Sequence, residues 1–181
     1  MNAATLLVAA LLAAPPSTTA TPDARVADEV EGLLGTIDRE IAPARWKSLG
    51  PAAVPVLQGI ATSEETLPSR RGKALAALGA ADPVAAESVA RALLDTPQAP
   101  LSLRQVAART LGPILPAASL RAALAPVLRS APEADLRATA AETLARHAPA
   151  GSCAEVGDQV ALESPVDRVR FERAAALCAG R

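Results

Sequence analysis

Aromatic residues are almost missing from this 181-residue chain: Trp46 and Phe171 are its two, and tyrosine is absent. A surface without aromatics has no platform on which bases stack, and it lacks the usual anchors of a tight protein interface. An excess of one charge is missing too. The 18 basic residues face 19 acidic ones, for a formal net charge of −1, whereas proteins that grip nucleic acid through phosphates carry a basic surplus. Nucleic acid is therefore not expected as a partner. One histidine, His147, and two cysteines, Cys153 and Cys178, are too few and too scattered for a zinc site, so neither a metal nor another cofactor is expected. The chain also lacks a glycine-rich phosphate loop, a G-x-S-x-G elbow and an H-E-x-x-H helix.

What is present is small and apolar, and it recurs. Arg71, Arg104, Arg137 and Arg170 follow one another at a constant step of 33, and Leu78, Leu111, Leu144 and Leu177 keep the same step. Between each arginine and its leucine stand small residues: Ala74-Leu75, Ala107-Ala108, Ala140-Ala141 and, in the last copy, Arg173-Ala174. The resulting R-x-x-A-[AL]-x-x-L pattern places its members on one face of an α-helix. A fixed period of this size marks a stacked repeat architecture, which has no single core and grows by addition of units.

Taken in order, the chain opens with an uncharged apolar run, Met1 to Ala14, ended by Pro15-Pro16. The run is too short to span a membrane and suits the hydrophobic region of a signal peptide. Thr18-x-Ala20 supplies small residues for cleavage before Thr21, so residues 1–20 are expected to be removed. The mature chain begins with Thr21-Pro22-Asp23, where Thr21 would cap a helix carrying Val26, Val30, Leu33, Leu34, Ile37 and Ile41 as far as Pro43. A second helix is expected over 52–61. Thereafter each repeat reads as two helices. The first members run from Ser69, Ser102, Asp135 and Asp167 to the recurring leucines. Ser69, Ser102 and Asp135 would be N-caps, and Ser102 with Gln105 would form a capping box. Turns are expected from Gly79 to Pro83, Gly112 to Pro116 and Pro149 to Gly151. The second members span about 83–94, 117–128 and 153–162, closing on Leu94, Leu128 and Leu162, which with Ile60 step by 34.

Leu103-Arg104…Ala107-Ala108…Leu111-Gly112-Pro113, Asp135-Leu136-Arg137…Ala140-Ala141…Leu144 and Leu49-Gly50-Pro51…Ala53-Val54-Pro55-Val56-Leu57 together resemble the HEAT repeat family in its short bacterial form. The resemblance covers about Trp46 to Cys178. It implies an all-α chain, an α-solenoid of stacked antiparallel helix pairs with about four repeats and a terminal helix. The organisation expected is a signal peptide over 1–20, a capping helix and first repeat over 21–62, and repeats with a C-terminal capping helix over 63–181. The first repeat lacks the arginine, and the last has Arg173 where the others have alanine, as suits end units with a polar outward face.

The arginine ladder is the feature that most invites a functional role, since four aligned guanidinium groups could meet a partner's carboxylates or phosphates. The structural role is the reading adopted: each stem covers the alanine pair, and each head bonds a carboxylate or carbonyl of a neighbouring repeat. His147, with Arg146, closes a helix before Pro149, where a cation suits the dipole. Cys153 opens the second helix of the fourth repeat and Cys178 closes the last helix. A hairpin turning near Ser164-Pro165 brings them together, and an exported chain with an even number of cysteines is expected to pair them.

The expected function is that of a non-catalytic, secreted or periplasmic HEAT-repeat scaffold, monomeric, with no membrane span in the mature chain. It would bind a protein partner through the ridge of its second helices. Glu87, Arg91, Arg121, Arg129, Glu155 and Asp158 form the candidate surface patch. Two alternatives remain: an enzyme or lyase-like accessory unit, as some relatives of the HEAT-like class imply, and a structural spacer without a tight partner.

Overall fold

Alanine and leucine at helical spacing, with proline confined mostly to the joints, point to α-helix as the regular structure of this chain. A computed structural model describes residues 22–36 and 41–179. The expected signal peptide over 1–20, the Thr21 cap and Ile37 lie outside the described residues. Among those residues the chain is all-helical: α1 (Pro22–Gly35), α2 (Pro43–Ser48), α3 (Ala53–Thr62), α4 (Pro68–Ala81), α5 (Pro83–Leu94), α6 (Leu101–Ile114), α7 (Ala117–Ser130), α8 (Ala134–His147), α9 (Pro149–Leu162) and α10 (Pro165–Ala179). None of them is long and apolar enough to cross a membrane.

The helices that carry the repeated arginine and leucine, α4, α6, α8 and α10, form a row in which each packs on the next. The intervening helices join them in pairs: α3 and α5 lie against α4, α5 and α7 lead on to α6 and α8, and α9 packs against α8 and α10. The repeated residues are the contact. Leu78, Leu111 and Leu144 are fully buried, and so are Ala74, Leu75, Ala107, Ala108, Ala140 and Ala141. Each such leucine withdrawn from water contributes about 2 kcal/mol, and the alanines between them let the backbones approach closely. Phe171 and Ala174 continue the buried set into α10, while Leu177 is half-buried.

Several joints differ from the sequence expectation, each for an identifiable reason. The first helix was expected to reach Pro43; it ends at Gly35, and Ile41 is not helical. Gly35, which costs a helix about 1 kcal/mol relative to alanine, is its last residue. The segment after it contains a short helix, α2, whose Trp46 is buried. Ser69, Ser102 and Asp135 are not N-caps. Leu67, Pro100 and Glu133 hold those positions without any side-chain cap, so the capping box of Ser102 with Gln105 does not form. Proline explains two of the three: Pro68 opens α4 because its preset φ and missing N–H cost nothing there, and Pro100 stands just before α6. Gln105 instead reaches Asp135 O and Thr139 Oγ1, both at 3.3 Å. Side-chain caps form instead at Asp82, which accepts from the amides of Val84 and Ala85 at the start of α5, and at Ser164, which accepts from the amide of Asp167 at the start of α10.

The turns expected at Gly79 and Gly112 are helix, with α4 running on to Ala81 and α6 to Ile114. Both glycines are packing residues. A methyl placed on Gly79 would lie 2.9 Å from Thr110 Cγ2, and one on Gly112 would lie 2.9 Å from Thr143 Cγ2 and 2.6 Å from His147 Cδ2. The two contacts are one interaction used twice, because glycine and threonine both recur at the step of the arginine ladder. The third joint, Pro149 to Gly151, is close to expectation: Ala150 and Gly151 leave helical geometry within α9, with Gly151 at φ 90°. Leu162, expected to close a packed helix, is 77% exposed, and Val166 and Val169 on the terminal helix also face solvent.

Two glycine substitutions of opposite sign test this packing. Gly112→Ala should lower stability by about 1–3 kcal/mol, because Thr143 is fixed on a packed helix and the added methyl overfills the contact. Gly59→Ala on the exposed side of α3, where a methyl meets nothing within 4 Å, should raise it by about 0.5–1 kcal/mol through helix propensity alone. Thermal unfolding followed by circular dichroism reads both, and equal effects would mean that Gly112 is not a contact residue.

Candidate functional site

The ladder arginines lie at one position of alternate helices, and their heads meet different partners. Arg104 is 6% exposed and donates through Nη1 to Glu133 Oε1 at 2.9 Å. Arg137 forms a two-pronged pair with Glu163, Nε to Oε1 at 2.7 Å and Nη2 to Oε2 at 2.6 Å, and donates to the carbonyls of Ala131 and Pro132. Arg170, half-exposed, pairs with Asp135. Arg71 donates through Nε to Ala61 O at 3.1 Å. Three heads are thus matched to carboxylates within or at an end of another helix, and the fourth is held by a carbonyl.

Glu163 is the most buried of these carboxylates, with 2% of its side chain exposed. The Arg137 guanidinium holds it below the usual carboxylate range. Burial works against that, and the amide of Gln159, donating at 2.7 Å, adds to it. The same bond pushes Arg137 above its ordinary value. Planar guanidinium and carboxylate meeting in two parallel bonds make the strongest common ion pair, and here it links the start of α8 to the end of α9.

The residues of the candidate surface patch are brought together in pairs. Glu87 and Arg91 bond across one turn of α5 at 2.8 Å, and Arg129 on α7 pairs with Glu155 on α9. The guanidinium of Arg121 lies over Gly151, so close that a side chain on that glycine would strike it. Asp158 is exposed. Much of this surface therefore satisfies its own charge. His147 ends α8 as expected, and its ring covers Gly112. Cys153 and Cys178 are joined by a disulfide with Cα atoms 5.7 Å apart, tying the first turns of α9 to the end of α10. No group of three or more histidines, cysteines or carboxylates among the described residues is placed to hold a metal.

A feature not anticipated from the sequence lies on the other side of the row. A groove of about 830 Å³ runs between α4 and α6. Its floor contains Gly72, Ala76, Gly79 and Ala80, with Val106 and Ile114 on the facing helix. Lys47, Lys73 and Arg109 stand along its edge, and no carboxylate lines it. Lys73 donates to the carbonyls of Leu34 and Thr36, while Lys47 and Arg109 are exposed. The groove exists because Ala76 and Ala80 leave the space that larger side chains would fill, while Gly72 is buried against Val106, whose Cγ2 would lie 3.2 Å from a methyl there. Further along the same row, a cleft of about 570 Å³ is lined by charges of both signs, including the Arg146–Glu142 and Arg170–Asp135 pairs. The apolar floor with a one-sign edge is thus local to α4 and α6.

No family model matches the chain, and no curated protein or solved structure matches it.

The ion pair and the disulfide are each open to a direct test. Glu163→Gln should cost about 3 kcal/mol at neutral pH, since it leaves a largely buried guanidinium short of its counter-charge. Because the folded-state pKa of Glu163 is lowered, its contribution is complete above the ordinary carboxylate value of about 4.3 and fades as the pH falls through the lowered value. The gap in melting temperature between wild type and variant should therefore be widest near pH 7 and close below about pH 4. A gap independent of pH would show that the pair is not responsible. For the disulfide, whose cysteines are 25 residues apart, the chain-entropy model gives about 3 kcal/mol. Replacing both cysteines with serine should lower the melting temperature by about 6–12 °C for a chain of this size, with the intact mass of the native protein rising by two hydrogens on reduction.

Proposed function

We propose that the chain is a non-catalytic scaffold, an α-solenoid of HEAT-like helix pairs, that binds a segment of a protein partner along the groove between α4 and α6. The observation that carries this reading is the character of that groove: an apolar floor of glycine and alanine, and an edge bearing Lys47, Lys73 and Arg109 without a carboxylate. Small residues on the floor admit a helix or extended segment to close range, and the cationic edge selects one with acidic flanks. The second-helix surface, by contrast, spends its charges on Glu87–Arg91 and Arg129–Glu155, which leaves less there for a partner to meet. Among the described residues neither Lys47 nor Arg109 has an ion pair, so their charges are available.

The constant step of the ladder and the row of α4, α6, α8 and α10 support the solenoid reading. The disulfide supports an oxidising compartment, and with the apolar leader over residues 1–20 it favours a secreted or periplasmic protein.

A photo-crosslinking side chain placed at Ala76, on the groove floor, should capture a partner protein in the native envelope fraction, while one placed at Glu87 on α5 should not. Reversing Lys47 and Arg109 to glutamate should abolish the capture and leave the unfolding curve within about 0.5 kcal/mol of wild type, as for other surface changes. Capture at Glu87 alone would move the binding face to the second helices, and capture at neither position would favour a spacer.

A further inference from the structure

Of the four ladder arginines, Arg71 is the one whose guanidinium meets no carboxylate among the described residues. Its Nε bonds the carbonyl of Ala61, and its two terminal nitrogens have no partner there. The repeat register explains the difference. Arg104 is met by Glu133, which stands at the N-cap of α8. The residue one period earlier, at the N-cap of α6, is Pro100. Arg137 is met by Glu163, and two periods before Glu163 stands Pro97. The two positions from which Arg104 and Arg137 receive their counter-charge are therefore proline in this repeat, and the one that corresponds to Asp135, the partner of Arg170, is Thr36.

Proline shortens the side chain, and the space it leaves is open. Arg71 lines a cavity of about 560 Å³ together with Pro100, Gln58, Gln98, Ser88 and Thr96, the apolar side being formed by Val89 and Leu93. The volume is that of a small-ligand pocket, and it shares no lining residue with the groove between α4 and α6. Glu64 also lines it, from an exposed linker, and forms no ion pair with Arg71. The two terminal nitrogens of this half-buried guanidinium keep their donor groups unspent at the cavity, where a carboxylate can take them in two parallel hydrogen bonds. The chain itself shows what such an arginine takes: Arg104, Arg137 and Arg170 each meet a carboxylate, Arg137 through two parallel bonds.

We infer that the cavity at Arg71 is a binding site for a carboxylate, which supplies from outside the counter-charge that Glu133 and Glu163 supply from within. The carboxylate belongs either to a free organic acid or to an acidic side chain in a peptide. Gln58, Gln98 and Ser88 line the same cavity and can bond the rest of the molecule, whereas the Thr96 hydroxyl donates to Ala92 O and can only accept.

The test compares glutarate, N-acetyl-glutamate amide and the neutral glutaramide on the full oxidised protein. The readouts are the Arg71 Nε–Hε resonance and the melting temperature. The carboxylates should shift that resonance saturably, with half-saturation on the order of 1 mM, and glutaramide should not. Response to glutarate alone identifies a free acid as the source, and response to N-acetyl-glutamate amide identifies an acidic side chain. Pro100→Glu, which restores the register carboxylate at a backbone position already extended like that of Glu133, should raise the melting temperature by about 2–4 °C and abolish the shift. An equal response to glutaramide, no saturable response to either carboxylate, or an undiminished response in Pro100→Glu would overturn the inference.

Discussion

The structure depends on how closely four helices can approach one another. Along the row of α4, α6, α8 and α10 the facing positions are held by alanine, and at three points by glycine, Gly72 meeting Val106, so that the regularly spaced leucines reach into the neighbouring helix. Gly79 against Thr110 and Gly112 against Thr143 set the distance. At the third interface the corresponding positions are Ala145, which is buried, and Ala176, which is exposed, so the glycine contact is not repeated there. The near absence of aromatic residues follows from the same constraint. A ring needs depth that closely approached backbones do not leave, and both Trp46 and Phe171 sit toward the ends, outside the glycine–threonine contacts.

Charge follows this packing and in part lies within it, since Arg104 and Glu163 are buried. The ladder arginines are fixed by their place in the repeat, but the groups that meet them are not. Glu133 and Glu163 come after Arg104 and Arg137 in the chain, at unequal separations, whereas Asp135 comes well before Arg170. A regular cation thus receives an irregular set of anions, and the irregularity is where one unit becomes different from the next. The contrast between the groove at α4 and α6, with a single sign of charge along its edge, and the ion-paired cleft near α10 has the same origin.

The sequence made some of this legible and hid the rest for physical reasons. The row itself was visible, since Leu78, Leu111 and Leu144 with their alanine pairs can share one buried face in only one secondary structure. The pairing of Cys153 with Cys178 was visible because a hairpin of two helices of similar length returns its ends to one place. The helix starts were misjudged because Ser69, Ser102 and Asp135 carry strong capping propensity, while Pro68 and Pro100 determine where the backbone turns. Gly79 and Gly112 looked like terminators because glycine's cost to a helix is local, whereas its benefit here comes from a threonine on the next helix of the row. The groove was hidden altogether. Whether Ala76 and Ala80 are floor or core depends on which neighbours cover them, and no period in the sequence encodes that.

The disulfide has a further consequence for the order in which the chain comes apart. Each helix packs chiefly on those near it in sequence, and α1 is held mainly by α3 and α4. A row packed in this way loses contacts first at its outermost described helices, because each of those has a neighbour in the row on one side alone. The C-terminal end is bolted, since α9 and α10 cannot separate fully while Cys153 and Cys178 are joined. The opposite end has only non-covalent contacts. Under heat or a pulling force the oxidised chain therefore opens from α1 toward α10, and reduction sets both ends free at once.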